Sequence, residues 1–115
     1  MFERHFGRWV RSDLFGGRGA VCVGDLPGKT AAPPFAAVLA CELAPGGSVG
    51  VHHQQEAHEV VIGVSGTGRA SVNGAPSELV SGSVVYLEHG ATLALENLSA
   101  DAPLVYLIVK AKGHG

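Results

Sequence analysis

PGGSVGVHHQQEAHEVVIGVSGTG, residues 45–68, decides the fold of this chain. Within it Val49 to Gln54 and Glu59 to Val64 are short runs with no helical period. Pro45-Gly46-Gly47 stops the segment before them, and Gly66-Thr67-Gly68 closes the segment after. Short runs between glycine-rich breaks read as strands. The same rhythm continues outward through Ala20 to Val23, Ala36 to Leu43, Arg69 to Val72, Ser83 to Leu87, Thr92 to Glu96 and Leu104 to Lys110. Asn73-Gly74 is a hairpin signal, because both residues accept the left-handed backbone that a tight primed turn requires. Turn signals recur about every ten residues, which predicts an antiparallel sandwich or closed barrel.

Composition agrees with that reading. The chain has 115 residues, 46% hydrophobic and 16% charged, too apolar for disorder and of a size for one core. Its 17 glycines and 6 prolines are too many breakers for a helix bundle. A single domain over 1–115 is expected, with residues 1–35 as an arm, edge strand and loop, and 36–110 as the barrel. Phe2, Phe6, Trp9, Leu14 and Phe15 of the arm are available to pack on the body or on a second copy. The loop is DLPGKTAAPP, residues 25–34. No apolar run approaches the roughly 20 residues of a bilayer span. The start, MFERHFGRWVRSD, carries charges where a signal peptide needs its apolar centre, so a cytoplasmic, membrane-free protein is expected. Cys22 and Cys41 have no CxxC partner and sit among apolar neighbours, as buried free thiols do.

Charge is regional. Residues 30–109 hold seven acids and one cation, Arg69, while Lys110 and Lys112 fall at the tail. Duplex binding needs several cations on one face, so a nucleic-acid partner is not expected. Arg69, at the start of a strand, is read as facing outward. A cavity without Lys or Arg would lack a counter-charge for sugar phosphates and would suit small, mostly neutral or apolar molecules.

The chemistry-bearing residues cluster in the quoted stretch. Alternation along a strand puts His52 and Gln54 on one face and His53 on the other. Gly46 is followed after five residues by His52-His53-Gln54, after four more by Glu59, and after six more by Gly66. Downstream, Gly82, Glu88-His89-Gly90, Leu93 and Asn97 form a second spaced set. The two sets resemble the paired motifs of the cupin superfamily, in the manner of its small single-domain conserved-barrel members. Gln54 stands where the first motif has its second histidine, Glu88 where the second has proline, and Leu93 where the second has histidine. The resemblance covers about residues 36–110.

It implies an all-β fold: a double-stranded β-helix, or jelly-roll barrel, of two antiparallel sheets. Members of this kind commonly pair, so a homodimer is expected, with the N-terminal arm suited to a dimer edge. The family commonly holds one divalent metal inside the barrel. Carried over, His52, Gln54 and Glu59 are the candidate ligands for Zn, Ni, Mn or Fe, bound weakly or not at all, because Leu93 supplies no fourth donor and an amide is a poorer ligand than imidazole. A bulge in QQEAH would turn His58 inward as a substitute.

Glu59 and His52 are also the candidate catalytic pair. A carboxyl held in an apolar barrel has a raised pKa and can exchange protons with a substrate. The expected function is binding of a small organic molecule. Dioxygenase, isomerase, cyclase or lyase chemistry is implied if the chain is an enzyme. The alternative is a non-catalytic, metal-free barrel in which these groups are satisfied polar residues. His89 is read as exposed in its turn, His5 and His114 as solvent-facing, and Tyr86 and Tyr106 as wall residues whose faces the sequence leaves open.

Overall fold

The computed structural model describes residues 6–25, 35–53 and 58–111. Ten strands run in chain order: β1 Phe6–Ser12, β2 Ala20–Asp25, β3 Phe35–Leu43, β4 Ser48–His53, β5 His58–Ser65, β6 Thr67–Val72, β7 Ala75–Val80, β8 Val84–Leu87, β9 Thr92–Asn97 and β10 Leu104–Ala111. The only helical element among the described residues is a 3-10 turn, Leu14–Gly16. A six-stranded sheet has the order β1-β2-β3-β10-β5-β8, and a four-stranded sheet has the order β4-β9-β6-β7. All pairings are antiparallel. The expected two-sheet barrel is what the chain forms.

β1 and η-turn residues give the N-terminal arm its structure. β1 is an outer strand of the larger sheet, paired to β2 alone. Leu14 packs against the core. The expected packing roles of Phe2 and of the 26–34 part of the loop lie outside the described residues, as do His5 and His114.

β7 was not legible as a strand of its own, although the Asn73-Gly74 turn called for a partner to β6. Asn73 and Gly74 take φ values of 51° and 81°, and Val72↔Ala75 through Thr67↔Val80 complete the ladder. β7 carries Pro76 and has four exposed residues in its first four positions, because it is the edge of the smaller sheet. An edge strand tolerates both proline and a polar face, which erases the alternation that marks a half-buried strand.

The core is packed between the inner faces. Leu43, Val61, Leu79, Ala70 and Leu104 are fully buried, at 0% exposure. At this end Asn97 ties the sheets together. Its Nδ2 donates to the carbonyls of Leu43 (3.1 Å), Ala44 (3.1 Å) and Ala102 (2.9 Å), and its Oδ1 accepts from Ser99 N (2.9 Å). An amide is the one side chain that can both donate twice and accept here. Replacing it would take a donor from three buried or half-buried carbonyls, of which Ala44 keeps the Gly47 N–H at 2.9 Å. Asn97→Ala is therefore expected to cost about 2–4 kcal/mol in urea unfolding, and Asn97→Asp at least as much because a carboxylate cannot donate.

Candidate functional site

A cavity of about 340 Å³ opens between the sheets at the end away from Asn97. Each strand delivers its wall residues by register. β10 supplies Tyr106, Ile108 and Lys110, which face Cys41, Leu39 and Ala37 on β3. On its other side β10 pairs with β5, where Lys110 stands opposite Glu59. β2 adds Val21 and Val23, and β9 adds Leu93 and Leu95. The wall is hydrocarbon except for a few placed polar groups, the usual make-up of a small-molecule pocket.

His52 reaches this cavity through an irregularity. Val49 pairs with Leu95 and His52 with Leu93, so β4 spends three steps where β9 spends two. That extra residue is a β-bulge, and it lets Val49 and His52 share the inner face although strict alternation from Val49 would put His52 outside. Val51 takes the outward position and is 68% exposed. The His52 ring stacks on Phe15, with centroids 4.1 Å apart and planes 11° from parallel. Phe15 adopts a left-handed backbone, φ 53°. Its carbonyl crosses β4 at Gly50, where a Cβ would collide with it. Nδ1 of His52 lies 3.0 Å from the Gly50 carbonyl. A carbonyl only accepts, so Nδ1 carries the proton and donates, leaving Nε2 with its lone pair. Burial lowers the His52 pKa; the Gly50 carbonyl opposes this, and Lys110 and His53 add to it.

Glu59 is 3% exposed and lines the cavity. Its Oε2 is buried and finds no hydrogen-bond partner among the described residues. Burial raises its pKa, and the Lys110 ammonium partly offsets that. Beside it, Tyr106 and Cys41 are buried and share a side-chain hydrogen bond. Burial, reinforced by the Glu59 carboxylate, pushes the Cys41 thiol up to about 12. Burial first, then Cys41 and Glu59, likewise raises the Tyr106 hydroxyl well above its ordinary value. Cys41 is thus an inert thiol at neutral pH.

The remaining sequence candidates fall as follows. Gln54 lies outside the described residues. Leu93 stands directly across from His52, 1% exposed. His53 is exposed yet sits on the cavity rim. His58 is exposed on the far side, where its Nδ1 accepts the His89 backbone N–H at 3.2 Å. Tyr86 is 74% exposed and Tyr106 2%. Arg69 faces outward and pairs with Glu96 at 3.0 Å. Lys110 is the residue that sequence reasoning misplaced. In sequence it falls with the charged tail, but it shares parity with Tyr106 and Ile108 and lies on the cavity wall. The parity was there to read; which face of β10 turned inward was not.

The described donors do not fit a family-type metal cage. No group of three His, Cys, Asp or Glu side chains is placed to hold an ion among the described residues. Glu59 and His52 offer two donors, Leu93 occupies the place of the fourth, and Lys110 puts a cation on the same wall.

A two-sheet barrel with a hydrocarbon cavity and an inward His/Glu pair defines a cupin-type protein. The cupin-domain family model matches residues 39–110, and the chain belongs to that family. A predicted oxalate decarboxylase from Thermotoga maritima superposes with a TM-score of 0.86 at 24% identity, covering 98% of this chain and 97% of that one. A cupin 2 conserved barrel domain protein from Salinispora arenicola superposes with a TM-score of 0.68 at 26% identity, covering 81% and 76%. The cupin domain of Schizosaccharomyces pombe Cnp3 does so with a TM-score of 0.73 at 13% identity, covering 91% and 69%. The Thermotoga and Schizosaccharomyces likenesses carry the fold and not a substrate. No curated protein matches the sequence.

Two outcomes follow from this geometry. The folded chain holds the Glu59 proton more tightly than the unfolded chain does. Its contribution to stability is therefore fullest below the ordinary carboxylate range and is lost as pH rises through the folded value. Melting curves of parent and Glu59→Gln should show the parent losing ground to the variant as pH increases. His52 titrates alike in both and cancels. Separately, Leu93→His sets an imidazole across from His52, and Zn²⁺ titration calorimetry should show affinity at least about tenfold above the parent. An unchanged affinity would mean that the two facing positions cannot share an ion.

Proposed function

We propose that this chain binds a small organic molecule in the cavity between its sheets, with Glu59 as the polar anchor. The observation that carries the reading is the Glu59 Oε2, buried in a cavity wall without a partner among the described residues. Leaving a buried carboxyl oxygen unpaired costs roughly 1–3 kcal/mol or more, and a ligand donor removes that cost. The cavity volume of about 340 Å³ suits a molecule of a dozen or so heavy atoms at most. The apolar lining supplies affinity, and the few polar groups orient the ligand.

The same residues support proton exchange if the ligand is turned over. Glu59 has a raised pKa that favours its acid form closer to neutrality, and His52 presents a neutral Nε2 on the adjoining wall. Such a pair can hold and move a proton. The reading needs no metal.

Ligand-observed NMR with a library of small acids, amides and alcohols tests the binding claim. Hits are expected with the parent and are expected to vanish in Ile108→Trp, which fills the cavity from a half-buried wall position. Circular dichroism and urea unfolding check that the variant is folded. A parent that binds none of the library, or hits that survive Ile108→Trp, would refute a ligand site between the sheets.

A further inference from the structure

We propose that the cavity selects small organic acids: Lys110 takes the ligand carboxylate, the hydrocarbon part lies against Leu39, Leu93 and Ile108, and Glu59 accepts a donor carried beside the carboxylate, as in an α-hydroxy acid. This rests on the ligand site proposed above and names its substrate class. It also reverses the expectation, drawn from a barrel counted as holding Arg69 alone, that the ligand is neutral.

The register carries the argument. Lys110 on β10 and Glu59 on β5 are directly opposite residues, so their side chains leave the sheet on the same face with Cβ atoms about 5 Å apart. Both line the cavity. Whatever neutralisation Lys110 gives Glu59, the carboxyl Oε2 has no hydrogen-bond partner among the described residues and is open to a ligand donor. The pair therefore presents a cation and an unfilled acceptor side by side at one end of a hydrocarbon chamber.

The other lining groups favour a single negative charge. Among the described residues that line the cavity Glu59 is the one acid, and His52, His53, Cys41 and Tyr106 are the other titratable groups, Cys41 feeling the Lys110 charge directly. Among the described lining residues none is an arginine, and Lys110 is the one lysine. One ammonium suits a monocarboxylate; a phosphate monoester calls for more counter-charge or a guanidinium fork. The donor beside the carboxylate matters because Glu59 is an acceptor when ionised, and an α-hydroxyl brings a proton to it. A plain alkanoate offers it none.

Isothermal titration of the full chain with four near-isosteric probes tests this: α-hydroxyisocaproate, isocaproate, isocaproamide and isohexanol. Isocaproate should bind about tenfold or more tighter than its amide, the span expected of one charge-assisted contact, and the hydroxy acid tighter again. Lys110→Met should erase the acid-over-amide preference and leave amide affinity in place, while Lys110→Arg should keep it. Glu59→Met, which removes the acceptor, should abolish the gain from the α-hydroxyl and keep the acid-over-amide preference. An amide that binds the parent as tightly as the acid, or a preference that survives in Lys110→Met, overturns the inference. If all four probes bind equally and Ile108→Trp abolishes them, the ligand site stands and acid selection falls. If none binds the parent, both fall.

Discussion

Asn97 holds two sheets together with one side chain, and the division of this barrel into a closed end and an open end depends on it. Its amide bonds the end of β3, the following residue and the approach to β10 at once. Around that clamp the inner faces meet through Leu43, Leu79 and Leu104 without space for solvent. The cavity lies between the same two sheets, lined from Val21, Val49 and Leu95 to His52, Glu59 and Lys110. The stabilising part and the functional part of the molecule are thus two ends of the same strands.

Within the cavity the governing fact is an acid in a hydrocarbon wall. A buried carboxyl resists ionisation, and its neighbours share the consequence: Cys41 and Tyr106 are held in their protonated forms partly by the Glu59 charge. Lys110 is the opposing influence, lowering the Glu59 and His52 pKa values together. The site balances one cation against one buried acid, with a neutral imidazole alongside. Cupins commonly organise such an interior around a metal ion. Here Leu93 gives hydrocarbon at a ligand position, and Lys110 supplies a positive charge from the protein itself.

The arm is more than an edge. A left-handed Phe15 costs backbone strain of order 1 kcal/mol or more, which persists only when the surroundings enforce it. Gly50 admits the Phe15 carbonyl, and the His52 ring receives the phenyl face. This contact fixes the ring plane of His52, while the Gly50 carbonyl fixes its tautomer. Two constraints on one imidazole leave Nε2 with a defined direction and a defined proton state.

The strand series, the Asn73-Gly74 hairpin, the family motifs and the inward candidates His52 and Glu59 were legible in the sequence. Turn chemistry and residue spacing are local, and local patterns survive without a fold. Three features were not legible. β7 was silent because an edge strand with proline and an exposed face has no alternation to show. The bulge in β4 was silent because one extra residue between Val49 and His52 leaves no mark until the partner strand is present. Lys110 was assigned to the tail because alternation says which residues share a face and never which face is inside. Only the pairing of β10 between β3 and β5 decided that. It placed Lys110 opposite Glu59 on the cavity wall.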